Sequence, residues 1–411
     1  MAKRSGGLTA LGFALVLSVC QAAGHHHAPQ GSLLPACQGA SALPSPDCGE
    51  TPSPAFDSKG RLWVAFVEHG HVYVTHSTDT GRSFLPPRVV NPVPEPIYSD
   101  GENRPKIALG TKGGLYLSWT KKIEGQYAGD IRFSRSLDGG KRFSEPVTVN
   151  DDHAPISHRF DSLSVDHQGR IFIAWVDKRD LQAAKEAGKE YSGAAIYYAM
   201  SDDQGASFAF NRKLADHSCE CCRVVTDVDA KGVVALWRHV YPGNLRDHAI
   251  ARFGPHASPI KGLPPRATDD GWRVDGCPHH GPDLSLDGHD KAHMVWFSQG
   301  SKNRGITYGR FDLASERLDF EVPVDARGAR PQVLSLGARV VVAWKSFDGE
   351  QMELRVMESA DRGKNWGKPR VLARTANGSD YPFLLARGEK IFVSWQTRAE
   401  GYQLIPVETA E

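Results

Sequence analysis

Apolar and polar residues alternate in short runs along most of this chain, and the runs recur. Residues 52–66, PSPAFDSKGRLWVAF, form a proline-led run, a glycine-containing turn and an apolar run closed by an aromatic residue. The unit returns at 105–119, 161–175, 223–237 and 282–296, and in copies one residue shorter at 331–344 and 382–395. Period-two alternation broken by turn residues predicts antiparallel strand pairs. The closing aromatics Phe66, Trp119, Trp175, Trp237, Trp296, Trp344 and Trp395 lie 48 to 62 residues apart. That spacing is the length of one four-stranded blade with its loops. The pattern therefore predicts an all-β, seven-bladed propeller over 48–411.

A second motif falls between the units. Residues 77–84 (STDTGRSF), 136–143 (SLDGGKRF), 201–208 (SDDQGASF) and 359–366 (SADRGKNW) all fit S-x-D-x-G-x-x-[FW]. This resembles the Asp-box, or BNR repeat, of the sialidase-like propeller superfamily, and the resemblance spans residues 52–405. The box is structural: its Asp accepts backbone N–H groups in a tight turn, its Gly takes a left-handed conformation, and its aromatic packs between blades. The turns at 252–258 and 310–320 have lost it. Many sialidases of the superfamily have six blades, which makes six the alternative to the seven counted here. The last unit has room for three strands, so residues 31–46 are expected to supply a fourth and close the ring. An Ala/Lys/Glu-rich insertion at 181–191 predicts a short helix in a loop of blade 3.

Residues 1–23 read as a secretory leader. Lys3 and Arg4 precede an apolar run over 8–19, and Ala22 and Ala23 offer a cleavage site. Leu17-Ser18-Val19-Cys20 resembles a lipoprotein box, but Val19 is too large for that position, so lipid anchoring is the lesser expectation. The expected location is periplasmic or secreted, where disulfides persist. Of 7 cysteines, removing Cys20 leaves an even set. Cys37 and Cys48 are expected to bridge within the His/Pro-rich segment 24–47, whose His25-His26-His27 run is compositional evidence only. Lys+Arg 49 against Asp+Glu 48, with no block of one sign, excludes a nucleic-acid footprint. No stretch after the leader is long enough to span a bilayer.

Repeat register then predicts a site. The residues just before the seven first strands are Thr51, Arg104, Phe160, Cys222, Gly281, Arg330 and Tyr381. They should ring the channel mouth, on the face opposite the Asp-boxes. Glu50, Glu102, His158, Arg159 and Asp380 lie just upstream, and Asp177, Arg179, Arg238, His239, Arg246, Asp247 and His248 follow second strands. Polar and titratable groups converging on one mouth are the default candidate site.

Two chemistries fit that rim. Ser218-Cys219-Glu220-Cys221-Cys222-Arg223 and Cys277-Pro278-His279-His280 precede first strands of adjacent blades and should meet. Cys219, Cys221, Cys222 and Cys277 could form two disulfides, or with His279 or His280 could hold copper or zinc. His239 and His248 are possible further ligands. The resemblance to sialidases implies the other chemistry: an arginine cluster for a substrate carboxylate, a Tyr nucleophile polarised by a Glu, and an Asp acid/base. The corresponding residues are Arg104, Arg159, Arg223 and Arg330 for binding, and Tyr381, Glu220 and Asp161 for catalysis. The Arg-Ile-Pro motif of the first blade is absent, and Glu50-Thr51-Pro52 stands there instead. The expected function is metal or small-ligand binding at the mouth. The alternatives are exo-glycosidase action on a terminal sialic acid or related glycan, or a non-catalytic scaffold.

Overall fold

The computed structural model describes residues 34, 37, 43–255, 257 and 259–408. The leader, Cys20 and the His25–His27 run lie outside the described residues. Seven antiparallel sheets follow one another along the chain, at 50–89, 106–148, 158–218, 225–253, 283–325, 329–375 and 383–407. Each runs in chain order from its first strand outward, four strands deep except in blades 4 and 7, which have three. The first strands touch their neighbours in a closed ring, and Glu50–Phe56 of blade 1 meets Phe383–Arg387 of blade 7. This is a seven-bladed propeller with no open seam at its inner edge.

The repeat aromatics hold the blades together. Phe66 and the six repeat tryptophans are each at most 1% exposed. Four indoles donate to carboxylates: Trp119 to Glu95, Trp175 to Asp177, Trp296 to Asp270 and Trp344 to Asp325, at 2.8–2.9 Å. Buried indoles require such partners. Trp237 of blade 4 lacks one.

The Asp-boxes form as their sequence requires. Asp79 accepts the Ser83 N–H at 2.9 Å, Gly81 N–H donates to Ser77 Oγ, and Gly81 has φ 82°. Each box leans on the preceding blade: Phe84 on Tyr402, Phe208 on Phe133 and Trp366 on Tyr308, with ring centroids 4.6–5.6 Å apart. A Cβ on Gly205 would lie 2.5 Å from the Phe133 ring, so glycine is required there by contact as well as by φ.

Two expectations change in detail. The helix expected at 181–191 spans Arg179–Glu186, since Gly188 stops it early. The fourth strand expected for blade 7 from 31–46 is not found among the described residues, and most of that segment lies outside them. Residues 43–49 instead form a turn that docks on blade 7. Asp47 Oδ1 accepts the Tyr402 N–H, and Gln396 Nε2 donates to the carbonyls of Pro46 and Gly49. The Cys37–Cys48 disulfide is present and closes this turn.

Neighbouring first strands are laced by side chains across the channel wall. Ser53 Oγ donates to Pro105 O, Asp227 Oδ2 accepts Leu286 N–H, and Asp283 Oδ2 accepts Val333 N–H. Burial pushes Asp227 up to about 6 and Asp283 up to about 7. A carboxyl whose folded pKa is raised favours the fold while protonated. That contribution is complete below about pH 4 and is lost as pH rises through the folded values. Asp283→Asn, neutral at every pH, should therefore flatten the decline in melting temperature between about pH 4 and 7. A variant whose pH profile parallels the parent would refute this.

Candidate active site and thiol centre at the channel mouth

The entries into three first strands share an unusual backbone. Thr51, Phe160 and Arg330 have φ of 50°, 61° and 57°, and each sits at a register break in the pairing of its first strand. Left-handed backbone is costly for such residues, and bulges of this kind re-aim side chains beside functional sites. Period-two alternation carries no trace of them.

Glu102 is the hub of the mouth. Its side chain is 2% exposed. Arg223 Nη1 donates to both carboxylate oxygens at 3.2 Å, Arg330 Nη1 donates at 3.2 Å, and the Arg223 and Gly281 N–H groups add longer bonds. A Cβ on Gly281 would fall 2.4 Å from Arg223 Cγ and 2.7 Å from Glu102 Oε2, so only glycine admits this approach. The Arg330 guanidinium lies 4.5 Å from the Tyr381 ring centre and donates to the His279 carbonyl. Tyr381 covers Gly101, and burial raises its phenol above the ordinary value, with Glu102 adding to the effect.

The other predicted site residues separate. Arg104 donates to Asp380 at 2.5 Å and to the Pro52 carbonyl, and its guanidinium packs 4.1 Å from the Phe383 ring. Arg159 stacks 4.0 Å over Tyr98 and 4.6 Å over Phe160. Glu220 pairs with Lys178, so the expected contact with Tyr381 does not form, and Glu102 is the carboxylate that stands nearest in effect. Asp161 is wholly buried, accepting from Ser118 Oγ at 2.5 Å with Lys106 3.9 Å away. Arg246 donates to Asn244. The arginines therefore do not converge on one open point; two of them converge on a carboxylate of the chain itself. Glu102 was visible in the sequence only as one rim residue among many.

The two cysteine segments do meet. Cys219 Sγ lies 3.1 Å from Cys222 Sγ and 3.8 Å from Cys221 Sγ, and all four thiols are free. Cys221, Cys277 and His279 form a second set, and in each set every ligand atom lies within 4.8 Å of the others. The cluster grows from local backbone bonds: Cys219 N–H donates to Arg238 O, and Arg238 Nη2 donates to His280 O, tying blade 4 to the blade 5 entry. Cys219, Cys221 and Cys222 are buried among Phe160, Trp237 and Tyr241, while Cys277 is exposed. Hydrogen bonds from Cys221 and then Cys222 hold the Cys219 thiol well below its ordinary value, and burial pushes Cys222 up to about 11.

Only one of the two expected histidines joins this set. His280 stacks 4.0 Å on Phe297, and burial drives its pKa down to about 2. His239 and His248 are buried but belong to neither ligand set. A surface hollow of about 830 Å³ lies on the opposite face beside Trp366 and Glu358. Arg339 and Arg370 already neutralise Glu358 there, which leaves the mouth as the better site.

No protein-family model matches this chain, and no curated protein matches it in sequence. Its fold has solved counterparts. The BP39L lectin from Burkholderia pseudomallei aligns with TM-score 0.56 at 11% identity, covering 88% of this chain and 99% of the lectin. A polysaccharide lyase of family PL25, an ulvan lyase, aligns with TM-score 0.54 at 12% identity, covering 90% and 93%. The Hadza microbial sialidase Hz136 gives TM-score 0.48 at 13% identity, covering 82% and 76%. At these identities the likeness is one of fold. With seven closed blades and four formed Asp-box turns, the chain has the fold of a seven-bladed β-propeller.

Proposed function

We propose that up to four of Cys219, Cys221, Cys222, Cys277 and His279, Cys221 among them, bind one thiophilic d¹⁰ metal ion, copper(I) or zinc, at the channel mouth. The observation that carries this reading is the position of Cys221, which belongs to both ligand-spaced sets. Sulfurs bonded at about 2.3 Å to one tetrahedral ion stand about 3.8 Å apart, the separation of the Cys219 and Cys221 sulfurs. Hydrogen bonds from Cys221 and Cys222, with the Arg238 charge, favour the Cys219 thiolate against the opposing effect of burial, and binding sheds thiol protons, so affinity should rise with pH. Oxidation is the competing fate, pairing Cys219 with Cys222 and Cys221 with Cys277. A copper(I) titration of the reduced protein against a chromogenic chelator tests the reading. One equivalent held against the chelator is expected. No retention in the reduced protein ends it.

A second reading has its own observation. Arg223 and Arg330 donate to one carboxylate beside the Tyr381 ring, and Tyr127, 62% exposed, flanks the Arg159 stack at the rim. Two guanidiniums and exposed aromatic faces suit an acidic saccharide. The lectin and the polysaccharide lyase named above are proteins with saccharide partners, which supports the same reading. A ligand carboxylate would have to replace that of Glu102. Hydrolysis of a fluorogenic sialoside, or binding of a uronate oligosaccharide that Arg330→Ala abolishes, would favour it; neither in the parent protein would remove it.

A further inference from the structure

A second group of rim residues lies in blade 3, apart from the thiols. His158 opens the first strand and Asp177 closes the second, and the two are direct cross-strand partners. Asp152 approaches from the loop leading into the blade. His158 Nδ1 lies 2.9 Å from the Gly129 carbonyl. A carbonyl only accepts, so Nδ1 carries the hydrogen, and in the neutral imidazole Nε2 is left with a lone pair. That Nε2 is buried without any hydrogen-bond partner, in a residue that is 0% exposed. It faces Asp177 Oδ2 at 3.8 Å and Asp152 Oδ2 at 4.0 Å. Three acceptors thus confront one another with no donor between them, an arrangement that burial makes costly.

We infer that this site binds a divalent first-row cation through His158 Nε2, Asp152 Oδ2 and Asp177 Oδ2. The three atoms lie within 4.8 Å of one another. The surroundings supply the support that metal ligands need. The Gly129 carbonyl fixes the imidazole. Trp175 Nε1 and Arg179 Nη2 fix Asp177 Oδ2 from outside, at 2.8 and 2.9 Å. The Ala154 N–H takes Asp152 Oδ1, so Oδ2 faces the histidine, with Arg179 Nε 3.8 Å away. Charge agrees: Asp151, Asp152 and Asp177 gather around a single guanidinium, that of Arg179, and Asp130 Oδ1 lies 3.9 Å from His158 Nδ1. One imidazole with two carboxylates suits manganese, iron(II) or zinc, whereas calcium and magnesium take oxygen ligands alone. Bonds of about 2.1 Å require the ligand atoms to draw in by about half an ångström. Asp152, on a loop and 24% exposed, can supply that movement.

Manganese(II) is the probe of choice because thiolates compete for it poorly. Titrated into the full chain, it should lose its free-ion EPR signal up to one equivalent. Asp152→Asn and His158→Gln should each weaken binding at least tenfold. The inference is overturned if the parent leaves the free-ion signal undiminished, or if Asp152→Asn binds as the parent does. It is also overturned if His158 keeps a sharp, doubly protonated imidazole signal in excess manganese, since a proton would then fill the gap. Should His158→Gln not fold, Asp152→Asn decides alone, because its amide oxygen can retain the bond from Ala154. The result is independent of copper retention at the thiols, so either reading can fail without the other.

Discussion

Replacing Glu102 by alanine should destabilise the propeller by about 3–5 kcal/mol, the typical cost of removing one partner from a buried ion pair. The side chain joins four blade connections through Arg223, Arg330 and the Gly281 N–H. Arg223 is only 7% exposed, so without Glu102 its guanidinium stays desolvated and unpaired. Glu102→Gln keeps one acceptor oxygen and should cost less. Chemical denaturation of the two variants measures the difference. The alanine variant also separates the two readings of the mouth. If the arginine pair accepts an outside carboxylate, millimolar sialic acid should raise the melting temperature of Glu102→Ala while leaving the parent unchanged. Equal responses would mean that the pair only braces the fold.

The second large effect concerns the thiols. Cys221→Ser with Cys277→Ser should lower copper(I) affinity at least a thousandfold, about 4 kcal/mol. Cys221 is common to both ligand sets and Cys277 is the sole thiol from blade 5. The serine hydroxyl introduced at the buried position 221 will itself cost about 1–3 kcal/mol if left without a partner. Cys277 is exposed, so Cys277→Ser alone separates the effects, weakening metal binding with little change in melting. Unchanged affinity in the double variant would exclude these sulfurs as ligands.

Much of the architecture was legible in the sequence because propeller repeats write the same physical requirement seven times. A buried aromatic closing each second strand, and a Ser-Asp-Gly turn, are local demands that one residue at each position satisfies. Register then brought Cys219–Cys222 and Cys277 together across two blades. What register could not show is how each side chain leaves the ring. The left-handed bulges at Thr51, Phe160 and Arg330 break the alternation on which the reading rests. Arg330 sits on one of them and turns to Glu102, as Arg223 does, while Arg104 turns to Asp380. The choice of His279 over His280 likewise depended on a partner, Phe297, that no local pattern reveals. Glu220 paired with Lys178 because both stand at the blade 3–4 rim, far in the chain from Tyr381.

X-ray absorption at the copper edge of the reduced, copper-loaded protein tests the central claim most directly. The thiol centre predicts a first shell dominated by sulfur at about 2.3 Å, lost in the Cys221→Ser, Cys277→Ser variant. A first shell of nitrogen and oxygen only, together with intact Cys219–Cys222 and Cys221–Cys277 bridges in the protein as isolated, would contradict it.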